Sequence, residues 1–304
     1  MSVAGEDGAV QVRCTAPDAL SNLVAILELV ADGQVRYTAT GRKPTAATVR
    51  LIEDCLVAGD YYDDSVRTSS MYGKTGREPI AAFAWPLIVQ VSGLARLAGT
   101  RLEVTERGAK ALASPGYQAI GAVWGRWLKN VSFDELNRID AIKGQSKPAT
   151  LTSAAARRAA VAGALRAIEP GTWADTDLIW SVLHTDQARL TVARSSLALW
   201  RLYIEDAYYG SLGNAGAKAW AAVEGRYALC VLFEYAATLG LVDVRYLPPR
   251  GARDDYRFLW GTDQYESLSR YDGLLAVRVN ELGAAILHDP SSIAGLGLPV
   301  PRHR

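Results

Sequence analysis

Apolar residues near the start of the chain recur at helical spacing. Leu20, Leu23, Val24, Leu27 and Val30 follow Pro17-Asp18 three and four apart, which predicts a helix ended by Asp32-Gly33. An extended run from Gln34 to Thr38 and a turn from Gly41 to Pro44 come next. Thr45 is placed to cap a second helix that turns Val49, Leu51, Ile52, Cys55 and Leu56 inward. Residues 60–79 read as a polar loop, and Ile80 to Gly93 as a third helix with a strongly apolar face. Leu94 to Ala98 and Arg101 to Val104 read as strands joined by Gly99-Thr100, and Thr105 caps a short helix ending at Leu112.

The same vocabulary continues through the second half. Two amphipathic helices are expected over 117–145, with a turn from Gly144 to Pro148. A helix over 152–168 breaks at Pro170-Gly171. Further helices are expected from Asp175 to Leu183, over 195–209 and over 215–239. Leu241 to Tyr246 and Leu275 to Val279 read as strands, held apart by an acidic, aromatic stretch from Asp254 to Asp272. Glu281 to Leu287 is a closing helix.

Two segments echo one another. Val104-Thr105-Glu106-Arg107-Gly108-Ala109-Lys110-Ala111-Leu112 and Val279-Asn280-Glu281-Leu282-Gly283-Ala284-Ala285-Ile286-Leu287 share Val, Glu, Gly, Ala and Leu at equal offsets. Each follows a helix ended by Gly-Leu, at Gly93-Leu94 and Gly240-Leu241, and each Gly-Leu opens a strand. Thr105 and Asn280 are good helix caps. Gly108 and Gly283 fall inside the short helix that follows, where close packing against a neighbour calls for a residue without a side chain.

Helix, Gly break, strand, wing, strand and capped helix is the order of a winged helix. The chain resembles that superfamily over about residues 17–113 and 153–288. Val104-Thr105-Glu106-Arg107-Gly108 matches the turn after the last wing strand closely, and Val279-Asn280-Glu281-Leu282-Gly283 matches it less well. Arg36 to Pro44 resembles a phrase of bacterial winged-helix accessory domains. Trp260-Gly261-Thr262-Asp263 and Leu268 to Gly273 look like segments of uncharacterised actinobacterial proteins. None of these resemblances implies an activity.

The expected architecture is therefore mainly α with small β-wings, as tandem winged-helix-like units joined by a helical middle. Residues 1–16 form a flexible lead, 17–115 the first unit, 116–150 a helical connector, 151–289 a second unit with an enlarged acidic wing, and 290–304 a loose tail.

Composition narrows the function. The 304 residues are 49% hydrophobic, which suffices for real cores, and carry a formal charge of +1, without the basic excess of a protein that grips long duplexes. Cys14, Cys55 and Cys230 are odd in number and far apart, so no disulfide framework is implied. With only three histidines and no clustered ligands, no metal or cofactor is expected. The first sixteen residues lack the apolar run of a secretory signal, and no stretch spans a membrane. A cytoplasmic bacterial protein is the expectation.

Charge is unevenly spread. Residues 94–166 hold twelve Lys and Arg against five Asp and Glu, whereas 205–289 hold eight against twelve. If the first unit binds duplex DNA, its second helix is the recognition candidate. Arg42, Lys43 and Arg50 would meet the groove or the phosphates, with Arg96 and Arg101 flanking the wing. The acidic second wing would repel phosphates.

Catalytic motifs are weak. Gly73-Lys74-Thr75 lacks the earlier glycine of a phosphate loop, since position 68 is Thr. Asp254, Asp255 and Asp263 could ligate a divalent ion but suit a solvated loop equally, and His184 reads as a helix end. Trp124 and Trp127, Trp200 and Tyr203, then Tyr208, Tyr209 and Trp220 read mainly as core, with a surface subset able to anchor a partner. The leading expectation is a non-enzymatic DNA-binding or regulatory protein. The alternative is a protein-interaction subunit of a larger complex, with self-association or an ATPase or effector as the partner.

Overall fold

Three residues of extended chain, β1 (Gln11–Arg13), precede the first helix and pair antiparallel with a strand more than two hundred residues away. The computed structural model describes residues 9–40, 43–62, 67–69, 75–77, 79–145, 150–186 and 188–297. Within them the chain is mainly helical with small antiparallel sheets. The lead expected to be flexible is thus ordered at β1. Thr15 fastens it: its N–H reaches Asp243 and its hydroxyl reaches the Val242 carbonyl.

Helix α1 (Ala16–Ala31) buries Leu20, Leu23, Leu27 and Val30 as the spacing predicts, with Ile26 fully buried in place of Val24, which is half-buried. The extended run is limited to bridges at Arg36 and Tyr37, which pair with Arg101 and Pro44. Thr45 caps α2 (Ala46–Cys55), its hydroxyl accepting from the Thr48 N–H. The expected loop 60–79 contains a hairpin of β2 (Arg67–Ser69) and β3 (Thr75–Arg77). Helix α3 (Ala81–Val91), hairpin β4 (Ala95–Ala98) and β5 (Arg101–Val104), and α4 (Glu106–Ala113) complete the first half.

The middle holds one regular helix, not two. After α5 (Tyr117–Lys129) the chain makes only a 3-10 turn, Glu135–Arg138. Its side chains are taken up by buried partners on other elements, and those contacts outweigh local helix propensity.

The second half, like the first, opens on a helix and closes with a hairpin and a short helix. Helix α6 (Ala154–Arg166) leads to β6 (Trp173–Asp175), a strand not anticipated, and then α7 (Thr176–Leu183). The helix expected over 195–209 is only α8 (Ser196–Leu199). Beyond it, Tyr203 exchanges backbone hydrogen bonds with Lys143 at 2.8 and 3.2 Å, and this pairing draws the chain out of helical form. A long central helix follows: a π-helical stretch Ala221–Gly225, α9 (Arg226–Cys230) and a second π-helical stretch Val231–Ala236. Strands β7 (Val242–Tyr246) and β8 (Leu274–Val279) and helix α10 (Glu281–His288) close the chain, before a 3-10 turn at Pro290–Gly295. The sheet order is β1-β7-β8-β6.

The two echoing segments agree bond for bond. Gly93 and Gly240 adopt φ of 73° and 77°, the left-handed helix end that glycine tolerates. Leu94 N–H then bonds back to Val89, and Leu241 N–H to Ala236. The Thr105 hydroxyl and the Asn280 side chain each reach the glycine carbonyl before their strand and cap the following helix. A Cβ on Gly108 would overlap the Leu94 carbonyl, and one on Gly283 the Leu241 carbonyl. The shared glycines are therefore explained by the backbone each must pass. One hydrophobic core runs through both halves.

Candidate functional site

The residues expected at a DNA interface do not form one cluster. Arg42 lies outside the described residues. Lys43 and Arg50 are exposed, Arg50 on the outer face of α2 beside exposed Ala46, Ala47 and Asp54. Arg96 is paired across the hairpin with Glu103 at 3.0 Å. Arg101 folds back over Gly33, its Nη1 3.1 Å from where a Cβ would stand, so its cation sits at the C-terminal end of α1. That position suits the helix dipole and gives Arg101 a structural use. Exposed Arg36, which sequence reasoning did not select, pairs with Arg101 across the strands.

The helix that precedes each hairpin is covered. On α3, Ala81, Ala82, Ala84, Trp85, Leu87, Ile88 and Val89 are buried, and Phe83, Gln90 and Val91 are half-buried. From Ala222 to Leu241 every residue of the central helix and its end is buried. Neither helix can enter a groove as the chain stands.

What surrounds the central helix is charged. Arg138 makes a bidentate contact to Glu234 at 2.9 to 3.0 Å, gives another hydrogen bond to the Pro79 carbonyl, and lies 3.5 Å above the Phe83 ring. Tyr271 donates its hydroxyl to Glu234. Arg158 reaches Glu135 at 2.7 Å and fills its remaining donors with the carbonyls of Trp127, Asn130 and Phe133. Tyr227 donates to the second oxygen of Glu135 at 2.9 Å. Arg157 forks onto Asp134, and Arg226 onto Asp272. Glu224 accepts the Val192 N–H at 2.9 Å.

Burial governs the titration of this centre. It raises Glu135 above the ordinary carboxylate range against the pull of Arg158, and raises Glu224 likewise. It also lifts the Cys230 thiol and the Tyr227, Tyr235 and Tyr271 phenols well above their usual values. Burial opposes the Arg138 cation, but Glu234 outweighs it and holds Arg138 protonated. Each π-helical stretch carries one of the buried glutamates, Glu224 and Glu234. Most of these groups are paired with one another, while among the described residues the Tyr235 hydroxyl and Arg157 Nε are buried without a hydrogen-bond partner, and the pairing orients the helices around the centre.

Two sequence expectations change as a result. Arg138, Arg157 and Arg158 belong to the basic middle by count but are buried in ion pairs, so the surface there is less basic than the count suggests. The acidic wing is likewise largely neutralised: Asp272 and Asp255 serve Arg226, Asp255 also meets Arg253, and Glu266 meets Arg250. His184 ends α7, as its position suggested, and its ring lies 3.9 Å from that of Trp220. Gly73 and Lys74 lie outside the described residues. A cavity of about 480 Å³ beside Cys14, Tyr117 and Asn280 is lined by Asp243, whose carboxylate already accepts from Thr15, Arg278 and Asn280.

The opposite case is the surface. Among the described residues, the exposed aromatics are Trp200, Tyr208, Tyr209, Phe258 and Trp260, from 49% exposed for Trp260 to 79% for Tyr208. All lie in the two insertions, one after α8 and one between β7 and β8. Tyr208 meets Tyr209 edge-on at 5.1 Å, and Tyr209 stacks on Trp260 at 5.7 Å. Asp206 holds the N–H groups of Tyr208 and Tyr209 at 2.9 and 2.8 Å. Glu205, strained at a φ of 58°, receives the Tyr265 hydroxyl and so ties one insertion to the other. Trp200 and the neighbours of Trp260 were visible as aromatic-rich sequence, but nothing in their spacing separated them from core aromatics such as Trp127 and Tyr235, stacked at 4.8 Å.

Among the described residues no helix is long and apolar enough to cross a membrane. No family model, no curated protein and no solved structure matches the chain.

Proposed function

We propose that the chain is a non-enzymatic protein-interaction subunit built from two winged-helix-like units. The winged-helix reading is supported by an order found twice. In each half a helix, a short extended segment and a helix come first and a helix, a hairpin and a short helix come last, with β2–β3 between them in the first half and α8 and a 3-10 turn in the second, and the extended segment pairs with the second hairpin strand. In the first half that pairing is Arg36 with Arg101; in the second it is β6 with β8.

One observation carries the choice of protein over DNA as ligand. The helix before each hairpin is buried in both halves, and α2, the recognition candidate, presents Arg50 beside Ala46, Ala47 and the acid Asp54, while among the described residues every exposed aromatic gathers on the insertions of the second half. Of the described residues expected at a DNA interface, Lys43 and Arg50 are left to support DNA binding, since Arg96 is ion-paired and Arg101 covers Gly33.

Fluorescence anisotropy with random duplex DNA at low and high salt tests this. The expected result is no saturable binding at low salt up to about 100 µM protein, the range of nonspecific affinities. Micromolar binding that collapses with salt and weakens in Arg50→Ala would overturn the reading in favour of a DNA-binding protein.

A further inference from the structure

The aromatic surface can be assigned an occupant. We propose that it pairs with the same surface of a second copy of this chain, an inference that rests on the protein-interaction reading above and names the partner.

The surface is continuous. Trp200 lies against Gly213, where a Cβ would overlap its ring, and the Asn214 amide reaches the carbonyls of Tyr208 and Tyr209 at 3.4 and 3.5 Å. Tyr209 stacks on Trp260, and Trp260 and Phe258 line one groove of about 430 Å³ with Arg257 and Asp263. Lys218 closes the edge, 5.6 Å above the Phe258 ring.

Area points to a partner of protein size. At the exposures given, five rings of this kind leave roughly 600 Å² of mainly apolar surface in water. That is at the upper end of what a monomer shows, and with its polar edge it approaches the about 800 Å² that each side of a standard interface buries.

Charge points to a like partner. Both signs edge the rings: the exposed acids Asp206 and Asp263 and the exposed bases Lys218 and Arg257, with exposed Arg201 next to Trp200 and exposed Asp254 in the connection that carries Phe258. A two-fold contact brings a surface against its own copy, so a one-sign edge would repel itself, whereas a balanced edge can pair each acid with a base of the other copy. The same balance disfavours a polyphosphate ligand.

The surface is also pre-organised. Asp206 fixes the Tyr208–Tyr209 turn and Glu205 ties it to Tyr265, so little ordering is left for association.

Sedimentation velocity of the full chain from about 0.1 to about 50 µM, a range that brackets micromolar association, tests the proposal. The expected result is a concentration-dependent shift from one to two chains per particle. Tyr209→Ser and Trp260→Ser should each weaken it by about 30-fold, the loss typical of a central aromatic anchor. Circular dichroism checks their folding. Should either variant fold poorly, Tyr208→Ser, the most exposed position, carries the test with a loss of about 10-fold.

A wild-type chain that stays single throughout, or a dimer untouched by all three substitutions, overturns the proposal. A single chain that also ignores DNA removes the self-pairing and leaves the interaction reading to a different protein. A dimer that binds DNA in the salt-sensitive, Arg50-dependent manner keeps this surface and removes that reading.

Discussion

The hairpins that close the two halves share one backbone plan and end in different surroundings. β4 and β5 are joined by Gly99-Thr100 and show water a cross-strand Arg96–Glu103 pair. β7 and β8 are separated by residues 247–273, which turn Tyr271 and Asp272 inward and Phe258 and Trp260 outward. The helices before them explain the difference. Helix α3 is almost wholly apolar, so packing alone can cover it. The central helix carries Glu224, Arg226 and Glu234 at buried positions, and a buried charge needs a partner. The long connection supplies Asp255, Tyr271 and Asp272, while Glu135, Arg138 and Arg157 and Arg158 come from the middle and α6. An insertion that serves the charges on its inner side leaves its rings on the outer side.

The strongest way to break this comparison is to remove a cation from the charged centre. Arg158→Ala removes the cation that Glu135 and three carbonyls share, leaving Glu135 with only the Tyr227 hydroxyl of the donors described above, and should lower stability by about 3–5 kcal/mol in urea unfolding. A loss below about 1 kcal/mol, the worth of an exposed pair, would mean that the centre is open to water.

The equivalence of the halves is sharpened by a matched pair of substitutions. Gly108→Ala and Gly283→Ala each set a methyl against the carbonyl of the leucine that opens the hairpin. Each should cost about 1–3 kcal/mol, with thermal unfolding as the readout. A large loss at one site and none at the other would show that the shared backbone plan is not equally constrained.

A smaller effect with a defined pH dependence is expected at Glu224. Burial raises its carboxyl in the folded chain, so the folded state keeps this proton to higher pH than the unfolded chain does. Its contribution is complete below the ordinary carboxylate range and declines as pH rises through the raised value. Glu224→Gln keeps an oxygen for the Val192 N–H and cannot ionise. It should therefore gain about 1 kcal/mol on the wild type between acid and neutral pH, measured by denaturation at both. A variant whose difference from wild type does not change with pH would contradict the assignment. The smallest change belongs to the first hairpin, where Arg96→Ala should shift stability by no more than about 1 kcal/mol and less in high salt.

Part of this molecule is written in local pattern. The Leu20 to Val30 stripe, the caps at Thr45, Thr105 and Asn280, the Gly-Leu helix ends and the short strands β4, β5, β7 and β8 follow from spacing, capping chemistry and the backbone freedom of glycine. Those forces act over a few residues, so the sequence alone determines them, including the purpose of Gly108 and Gly283. It also shows that the chain carries aromatic-rich, acidic insertions.

Other features depend on partners distant in the chain. β1 exists because Tyr246 lies beside Gln11, and the helix expected over 195–209 stops because Tyr203 pairs with Lys143. Whether an arginine is a surface charge or a buried one is decided the same way: Arg50 and Arg158 both lie on helices, and Glu135 together with the carbonyls of Trp127, Asn130 and Phe133, all from other segments, makes the second internal. Aromatic exposure is no more local, since Trp127 and Trp260 differ only in what other segments place over them. Burial and pairing sum contacts over the whole fold, so the tertiary structure alone decided that the centre of this protein is charged and one of its faces aromatic.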